Sequence, residues 1–283
     1  MARATALGAA AILLWSALAL LTVGAKRVPP FELLALTFGV AGAVGIVLSI
    51  LRRKSLAAMT RAHPQALVLT TLALAGYHLF YFIALRNAPA VDASLIAYLW
   101  PLLIVVFAGI AHGGLRATHI AGAVLGLGGA WLILSTRGAL ALDPAYALGY
   151  AAAAACALIW SAYSVANRRF ADAPVDIVTL ACLATAALGG AAHAFFERTV
   201  APAPLEWLAI ALLGLGPVGA AFFLWDFGTK HGDLPLLGVF SYAAPVLSTL
   251  LLVAAGSAEP SWQLAAAVLL VAGGAALASW PRK

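Results

Sequence analysis

Ten uncharged apolar runs fill almost the whole chain, and each is long enough to cross a bilayer. A hydrocarbon core of about 30 Å needs roughly 17 to 25 apolar residues in a helix. The linkers between the runs are only a few residues long, apart from the basic stretch 52–61. The chain is therefore predicted to be an all-α integral membrane protein, with these ten segments: Ala4–Ala25, Leu33–Leu51, Ala62–Leu85, Ala93–Leu115, Ala117–Thr136, Pro144–Asn167, Ile177–Phe196, Trp207–Trp225, Leu234–Ala258 and Pro260–Pro281.

Composition excludes a water-soluble protein, because 64% of the residues are hydrophobic, 9% are charged and the mean hydropathy is +1.03. The formal charge of +6 is explained by basic residues at the ends of membrane helices, so we predict contact with lipid and no nucleic-acid partner. Cys156 and Cys182 both lie in apolar runs and offer neither a disulfide framework nor metal-ligand spacing. We expect no cofactor and no metal.

One segment with a proline inside it occurs twice. Tyr98 is followed three residues later by Pro101, and the pattern returns 144 residues further on as Tyr242 and Pro245. Proline removes a backbone hydrogen bond and clashes with the preceding turn, so each segment carries a helix defect. Paired defects in two halves of a membrane chain point to a transporter's binding site, and these two prolines are predicted to serve in helix breaking and gating.

A second match extends the repeat to the whole chain. LLWSALAL in the first run resembles LIWSAYSV in the sixth, which aligns Trp15 with Trp160 at an offset of 145 residues. Each half then holds five helices, and an odd number makes the second half enter the membrane from the opposite side. We predict ten transmembrane helices as two inverted five-helix repeats, residues 1–137 and 138–283, which can adopt two related gating states around a central cavity.

Orientation follows from the basic residues. Eleven of the sixteen Lys and Arg residues lie at the two termini and in the loops after the even-numbered helices. By the positive-inside rule both termini face the cytoplasm of a multi-pass protein in the inner (plasma) membrane.

The same residues carry a family resemblance. The first run with WS followed by VPPFE, the block ALRNAPAVDASLIAYLWP and the run FGTKHGDLPLLGVFSYAAPVLSTLLLVAAGSAEPS resemble the drug/metabolite transporter superfamily of the EamA type. Among its members, the aromatic residues in mid-helix are most similar to those of bacterial aromatic amino acid exporters. One departure is that members often have a cation near the position of Thr37, where this chain has none. The resemblance implies a secondary transporter that exports small amphipathic metabolites, with aromatic amino acids first among them.

The third and sixth runs supply the densest sets of polar aromatic residues. Spacing places Tyr77, His78 and Tyr81 on one face of the third run, with Tyr81 stacked one turn from Tyr77. Another stripe holds Trp160, Tyr163 and Ser164, and Trp15 shares the expectation through the repeat, while Asn167 beside Arg168 is interpreted as interfacial. The alternative is that these side chains only pack helices together. Polar groups at membrane depth favour the cavity.

The fourth and ninth runs complete the predicted substrate site with Tyr98, Trp100, Ser241 and Tyr242. Tyr98 and Trp100 point about 200° apart in a straight helix, so both reach one cavity only if Pro101 distorts it. Tyr98 ranks above Trp100 because it has a repeat partner. Asp226, four residues before Lys230, has the spacing of a helical ion pair and is interpreted as a gating or pairing residue near the cytoplasmic surface.

Three classes of function remain at this point. The first is the exporter, with other amino acids or cationic drugs as alternative substrates, acting as a monomer with or without proton coupling. An enzyme is not expected, because the sequence has no G-x-S-x-G, no H-E-x-x-H and no pair of buried carboxylates. A third class is a non-transport membrane protein such as a lipid scramblase.

Overall fold

The fold is described from a computed structural model over residues 1–112, 115–135, 143–256 and 259–280. Within these ranges the chain is helical and contains no strand. The predicted boundary between residues 137 and 138 lies outside the described residues. So do Arg137, Arg282 and Lys283, which entered the orientation argument.

Nine helical spans in the described ranges are long and apolar enough to cross a membrane, and a tenth apolar helix has 17 residues. The protein is therefore an all-α, multi-pass membrane protein. The spans are numbered α1 (Ala2–Val23), α2 (Pro30–Leu51), α3 (Pro64–Asn87), α4 (Ala90–Ala111), α5 (Ala117–Ser135), α6 (Pro144–Phe170), α7 (Ile177–Phe196), α8 (Pro204–His231), α9 (Leu234–Ala254) and α10 (Trp262–Ala278).

Two differences from the sequence prediction are substantial. The basic linker between α2 and α3 contains a short helix, Leu56–Ala62, whose amino terminus is capped because Ser55 Oγ accepts a hydrogen bond from the Ala58 N–H. Helix α8 continues to His231, although the apolar run ends at Trp225. It continues because the two charges in its last turns are paired with each other, as described below.

Four spans are interrupted near mid-membrane. Helix α1 is broken at Ala17, α4 at 98–99 and α9 at 241–242, so the second half of α4 begins just before Pro101 and that of α9 just before Pro245. In α8 a π-helical segment, Gly216–Ala220, includes a proline. Such segments leave backbone groups without their usual helical partners, and they are frequent at functional sites.

The most extensive helix contacts join α1 with α8, α2 with α7, α3 with α6, α4 with α6 and α5 with α10, and α9 packs on both α1 and α4. The α5–α10 pair is close because Gly122 faces the Gly274 backbone, where a Cβ on either residue would meet a carbonyl oxygen. Gly126 similarly faces the ring of Tyr242. Gly273, by contrast, has open space around it.

Polar contacts fasten α2 and α7 at both ends. At one end the Glu197 carboxylate, next to the end of α7, accepts hydrogen bonds from the Phe31 and Glu32 N–H groups at the start of α2. Glu197 also pairs with His193 at 3.0 Å and with Arg86 at 3.6 Å. At the other end Lys54, after α2, pairs with Asp176, before α7, at 2.5 Å. A negative charge at a helix amino terminus is favourable because of the helix dipole.

Candidate functional site

The interior is filled by an aromatic cluster, which we define as Trp15, Trp100, Trp160, Phe222 and Trp225. These side chains come from α1, α4, α6 and α8. The ring centroid of Trp15 lies 5.1 Å from Trp225, 5.8 Å from Trp160 and 6.3 Å from Trp100. Trp160 and Trp225 stack at 6.3 Å with an angle of 20° between their planes. Edge-to-face and offset contacts at these distances are favourable, so the rings form one continuous aromatic surface between four helices.

Hydrogen bonds fix two of the indole rings. Trp15 Nε1–H donates to the Pro217 carbonyl oxygen at 3.0 Å, so it satisfies a carbonyl inside the π-helical segment of α8. Trp225 Nε1–H donates to Ser164 Oγ at 3.1 Å, and that hydroxyl donates to the Trp160 carbonyl at 2.8 Å. A buried indole N–H without a partner would be unfavourable. These bonds therefore set the orientation of the aromatic surface.

The predicted stripe of α3 lies beside the cluster and is partly exposed. Tyr77 and Tyr81 stack at 6.0 Å with 14° between their planes, the arrangement that their spacing predicts. Tyr77 also contacts Trp160 edge to face at 5.8 Å. His78 Nδ1–H donates to the Leu74 carbonyl at 2.7 Å, and its ring contacts Phe38 at 5.1 Å. Tyr77, His78 and Tyr81 thus form a partly exposed stripe beside the aromatic cluster.

Next to the aromatic cluster lies a polar cluster, which we define as Asn167, Asp226, Thr229 and Lys230. Each of these residues is at most 4% exposed. Asp226 and Lys230 form an ion pair at 2.8 Å. Asn167 Nδ2–H donates to Asp226 Oδ1 and to Thr229 Oγ1, each at 3.0 Å. The interfacial interpretation of Asn167 missed its role, because its amide is buried and bridges α6 and α8.

The predicted residues of α9 lie elsewhere. Tyr242 is fully buried beside α5 and α10, and its hydroxyl accepts the Leu102 N–H at 3.2 Å, at the start of the second half of α4. Ser241 is 1% exposed and donates to the Leu237 carbonyl at 2.7 Å. The Tyr242 hydroxyl therefore joins α9 to the interrupted part of α4, whereas the Ser241 hydroxyl bonds back to a carbonyl of its own helix. Tyr98 packs against this same region, whereas Trp100 belongs to the aromatic cluster, and which of the two contacts a substrate stays a prediction.

The remaining predicted residues lie close to the cluster. Tyr163 is 3% exposed and contacts Trp160 at 5.2 Å. Ser164 is fully buried and serves the indole of Trp225, as described above.

Sequence reasoning missed Phe222, Trp225 and Phe38. A signal was present, because the 144-residue offset that aligns the two proline segments places Phe222 on His78 and Trp225 on Tyr81. The Gly-Pro pair at residues 216–217 was also overlooked, although it marks a backbone irregularity of the same kind as the other two prolines. In the described part of the chain no group of three or more His, Cys, Asp or Glu residues could hold a metal ion.

A groove of about 310 Å³ lies on the surface of the protein between α4 and α6. It is lined by apolar side chains, among them Phe107 and Val165, and by Arg169. None of the aromatic-cluster residues lines it, so the groove does not coincide with the aromatic interior.

Comparison with known proteins identifies the family of this chain. The EamA-like transporter family matches residues 3–135 and again 147–280. The aromatic amino acid exporter YddG of Ancylobacter novellus is 54% identical over 266 residues, covering 93% of this chain and 92% of that one, and YddG of Escherichia coli K12 is 26% identical with 92% of both covered. A crystal structure with 53% sequence identity gives a TM-score of 0.94 over 99% of this chain and 97% of that chain. The chain therefore belongs to the EamA-like transporter family.

Proposed function

We propose that this chain exports aromatic amino acids by alternating access. The carrying observation is the aromatic cluster, whose surface is flanked by the partly exposed Tyr77, His78 and Tyr81. An aromatic ring of the substrate stacks on such a surface, and its charged groups meet nearby hydroxyls. The named function of the two YddG relatives agrees with this assignment.

Inverted repeats support the alternating-access part of the proposal. The two family matches fall on either side of the proposed boundary between residues 137 and 138. The helix pairs are also preserved when each helix number is shifted by five: α1 with α8 becomes α6 with α3, and α3 with α7 becomes α8 with α2. Two halves of this kind can exchange roles between two gating states.

One contact departs from this symmetry. The last turns of α6 and α8 are joined by the polar cluster, whereas the corresponding ends of α1 and α3 make no comparable contact in the described residues. The departure supports a state that is closed where α6 and α8 end and open where α1 and α3 end. With both termini in the cytoplasm, this is the outward-open state.

Orientation can be tested with two single-cysteine additions, because both native cysteines are buried. Lys26 lies exposed after α1, and Ala57 lies exposed in the short helix after α2. We expect Lys26→Cys to react with an impermeant maleimide added to intact cells, and Ala57→Cys to react only after the membrane is permeabilised. The opposite pattern would reverse the proposed orientation.

The transport assay uses proteoliposomes loaded with radiolabelled tryptophan, phenylalanine or tyrosine. Tyr77→Ala removes ring contacts with Tyr81 and Trp160, and an aromatic contact contributes about 0.5–1.5 kcal/mol, so we expect aromatic amino acid efflux at low concentration to fall by up to about tenfold. Trp262→Ala, at an exposed ring on α10, is the matched control and should transport normally.

Two outcomes would contradict the proposal. The wild-type protein could export alanine, lysine or a cationic dye but none of the three aromatic amino acids. It could instead move fluorescent phospholipid between leaflets without exporting any amino acid, which is the behaviour of a scramblase.

A further inference from the structure

We propose that Asp226 and Lys230 bind the charged head group of an α-amino acid. In the state in which the protein is closed at the ends of α6 and α8, the two side chains pair with each other in place of the substrate. The inference rests on the proposed function and assigns the part of the substrate that the aromatic cluster does not recognise. In this arrangement Lys230 takes the substrate carboxylate and Asp226 takes the ammonium group.

Burying the Asp226–Lys230 ion pair carries a desolvation penalty. Asp226 is fully buried and Lys230 is 4% exposed, within a helix that spans the bilayer. Buried ion pairs contribute little net stability compared with apolar residues of similar size. Ionisable side chains inside a membrane mark substrate or ion pathways by default. Stability alone therefore does not account for these two charges.

The cluster also has unused hydrogen-bonding capacity. Lys230 Nζ donates to Asp226 Oδ2 at 2.8 Å and to the Ala173 carbonyl at 3.0 Å, which uses two of its three N–H donors. Asn167 Oδ1 is buried and has no hydrogen-bond partner. A donor on the cation and a free acceptor beside the anion match the needs of a carboxylate and an ammonium group.

Charge balance makes the exchange possible. The Asp226–Lys230 pair and an amino acid zwitterion are each neutral overall, so two crossed ion pairs can replace one without leaving a net charge inside the protein. Aromatic side chains lie next to these charges along the chain, because Trp225 precedes Asp226 directly and Tyr163 lies one turn before Asn167 on α6. The site thus joins the aromatic surface to a charged end.

The first test uses the wild-type protein, so it does not depend on the folding of a variant. Tryptophan efflux from proteoliposomes is measured with a co-loaded competitor: phenylalanine, tryptamine, which lacks the carboxylate, or indole-3-propionate, which lacks the ammonium group. Because a buried charge left without its partner is strongly unfavourable, we expect both analogues to compete more than about tenfold more weakly than phenylalanine. Equal competition by either analogue would overturn the assignment of the group that it lacks.

The second test separates binding from a purely structural role. The double variant Asp226→Asn/Lys230→Gln keeps hydrogen-bonding groups but removes both charges. We expect its KM for tryptophan to rise more than about tenfold with a much smaller change in kcat, and its preference for tryptophan over tryptamine to disappear. The matched control, Asp176→Asn/Lys54→Gln, neutralises the other ion pair near this end and should leave both quantities unchanged.

The outcomes are distinct from those that test the proposed function. If the wild-type protein exports no aromatic amino acid, the proposed function fails. If it exports tryptophan but the Asp226/Lys230 double variant keeps the wild-type KM and selectivity, only the head-group site is overturned. Should that variant fold poorly, the competition experiment with the wild-type protein decides.

Discussion

Asp226→Ala is expected to lower the stability of the protein by about 3–5 kcal/mol, since it leaves the buried Lys230 ammonium without its anion. Asn167 also loses the hydrogen bond from its Nδ2–H to Asp226 Oδ1. The measurement is the midpoint of thermal unfolding in a mild detergent. A double change to Leu at 226 and Met at 230 should recover most of the loss, because no charge is then left unpaired.

Asp172→Ala is the matched control. Asp172 lies two residues after the end of α6, and its side chain is 77% exposed. Its carboxylate is 3.8 Å from His63 Nδ1, and exposed pairs of this kind contribute little to stability. Its unfolding midpoint should stay near that of the wild type. If the Asp226→Ala and Asp172→Ala variants have the same unfolding midpoint, the pairing of Lys230 with Asp226 does not contribute to stability.

Gly274→Val should be the second severe change. A Cβ at this position meets the Gly122 carbonyl oxygen and the Leu125 side chain, so α5 and α10 must separate or shift. Overpacking of this kind costs about 1–3 kcal/mol, and close glycine contacts are a main source of helix association in membranes. We expect lower yield in the membrane and a lower unfolding midpoint.

Gly273→Val tests the same chemistry one residue away. Nothing lies near a Cβ at Gly273, and both positions carry the same helix-propensity penalty for valine. The Gly273 variant should therefore behave like the wild type. Similar losses at both positions would mean that helix propensity, and not the contact with Gly122, determines the result.

The sequence predicted the helical membrane architecture well because its signals are local. Long uncharged runs identify the spans, and prolines at positions 101 and 245 identify where α4 and α9 are interrupted. The prediction failed where a distant partner changes the meaning of a residue. Asn167 looked interfacial beside Arg168, yet it bonds to side chains about 60 residues away. For the same reason the predicted segment of α8 stopped at Trp225, before the charged residues, whereas the helix continues to His231.

The aromatic site was only partly predictable. Trp15 and Trp160 were found through the repeat, but the repeat also ranked Tyr98 above Trp100, which has no aromatic counterpart in the second half. The depth and direction of the side chains on α4 and α9 depend on how each helix turns at its interruption. Sequence spacing could not predict this, because it assumes a continuous helix. Trp225 was missed although the repeat places it on Tyr81, because the predicted apolar run of α8 ends at this residue.

The joined ends of α6 and α8 have a wider consequence. Two identical inverted halves would give two gating states of equal free energy, because each state would be the other seen from the opposite side. Here the repeat places Phe82 where the second half has Asp226, and Arg86 where it has Lys230. Arg86 is already engaged with Glu197 and the ring of Phe31. If the two halves are inverted repeats, as we propose, any preference for one gating state is encoded in the positions at which the halves differ, whereas the direction of net transport is set by the substrate gradient across the membrane.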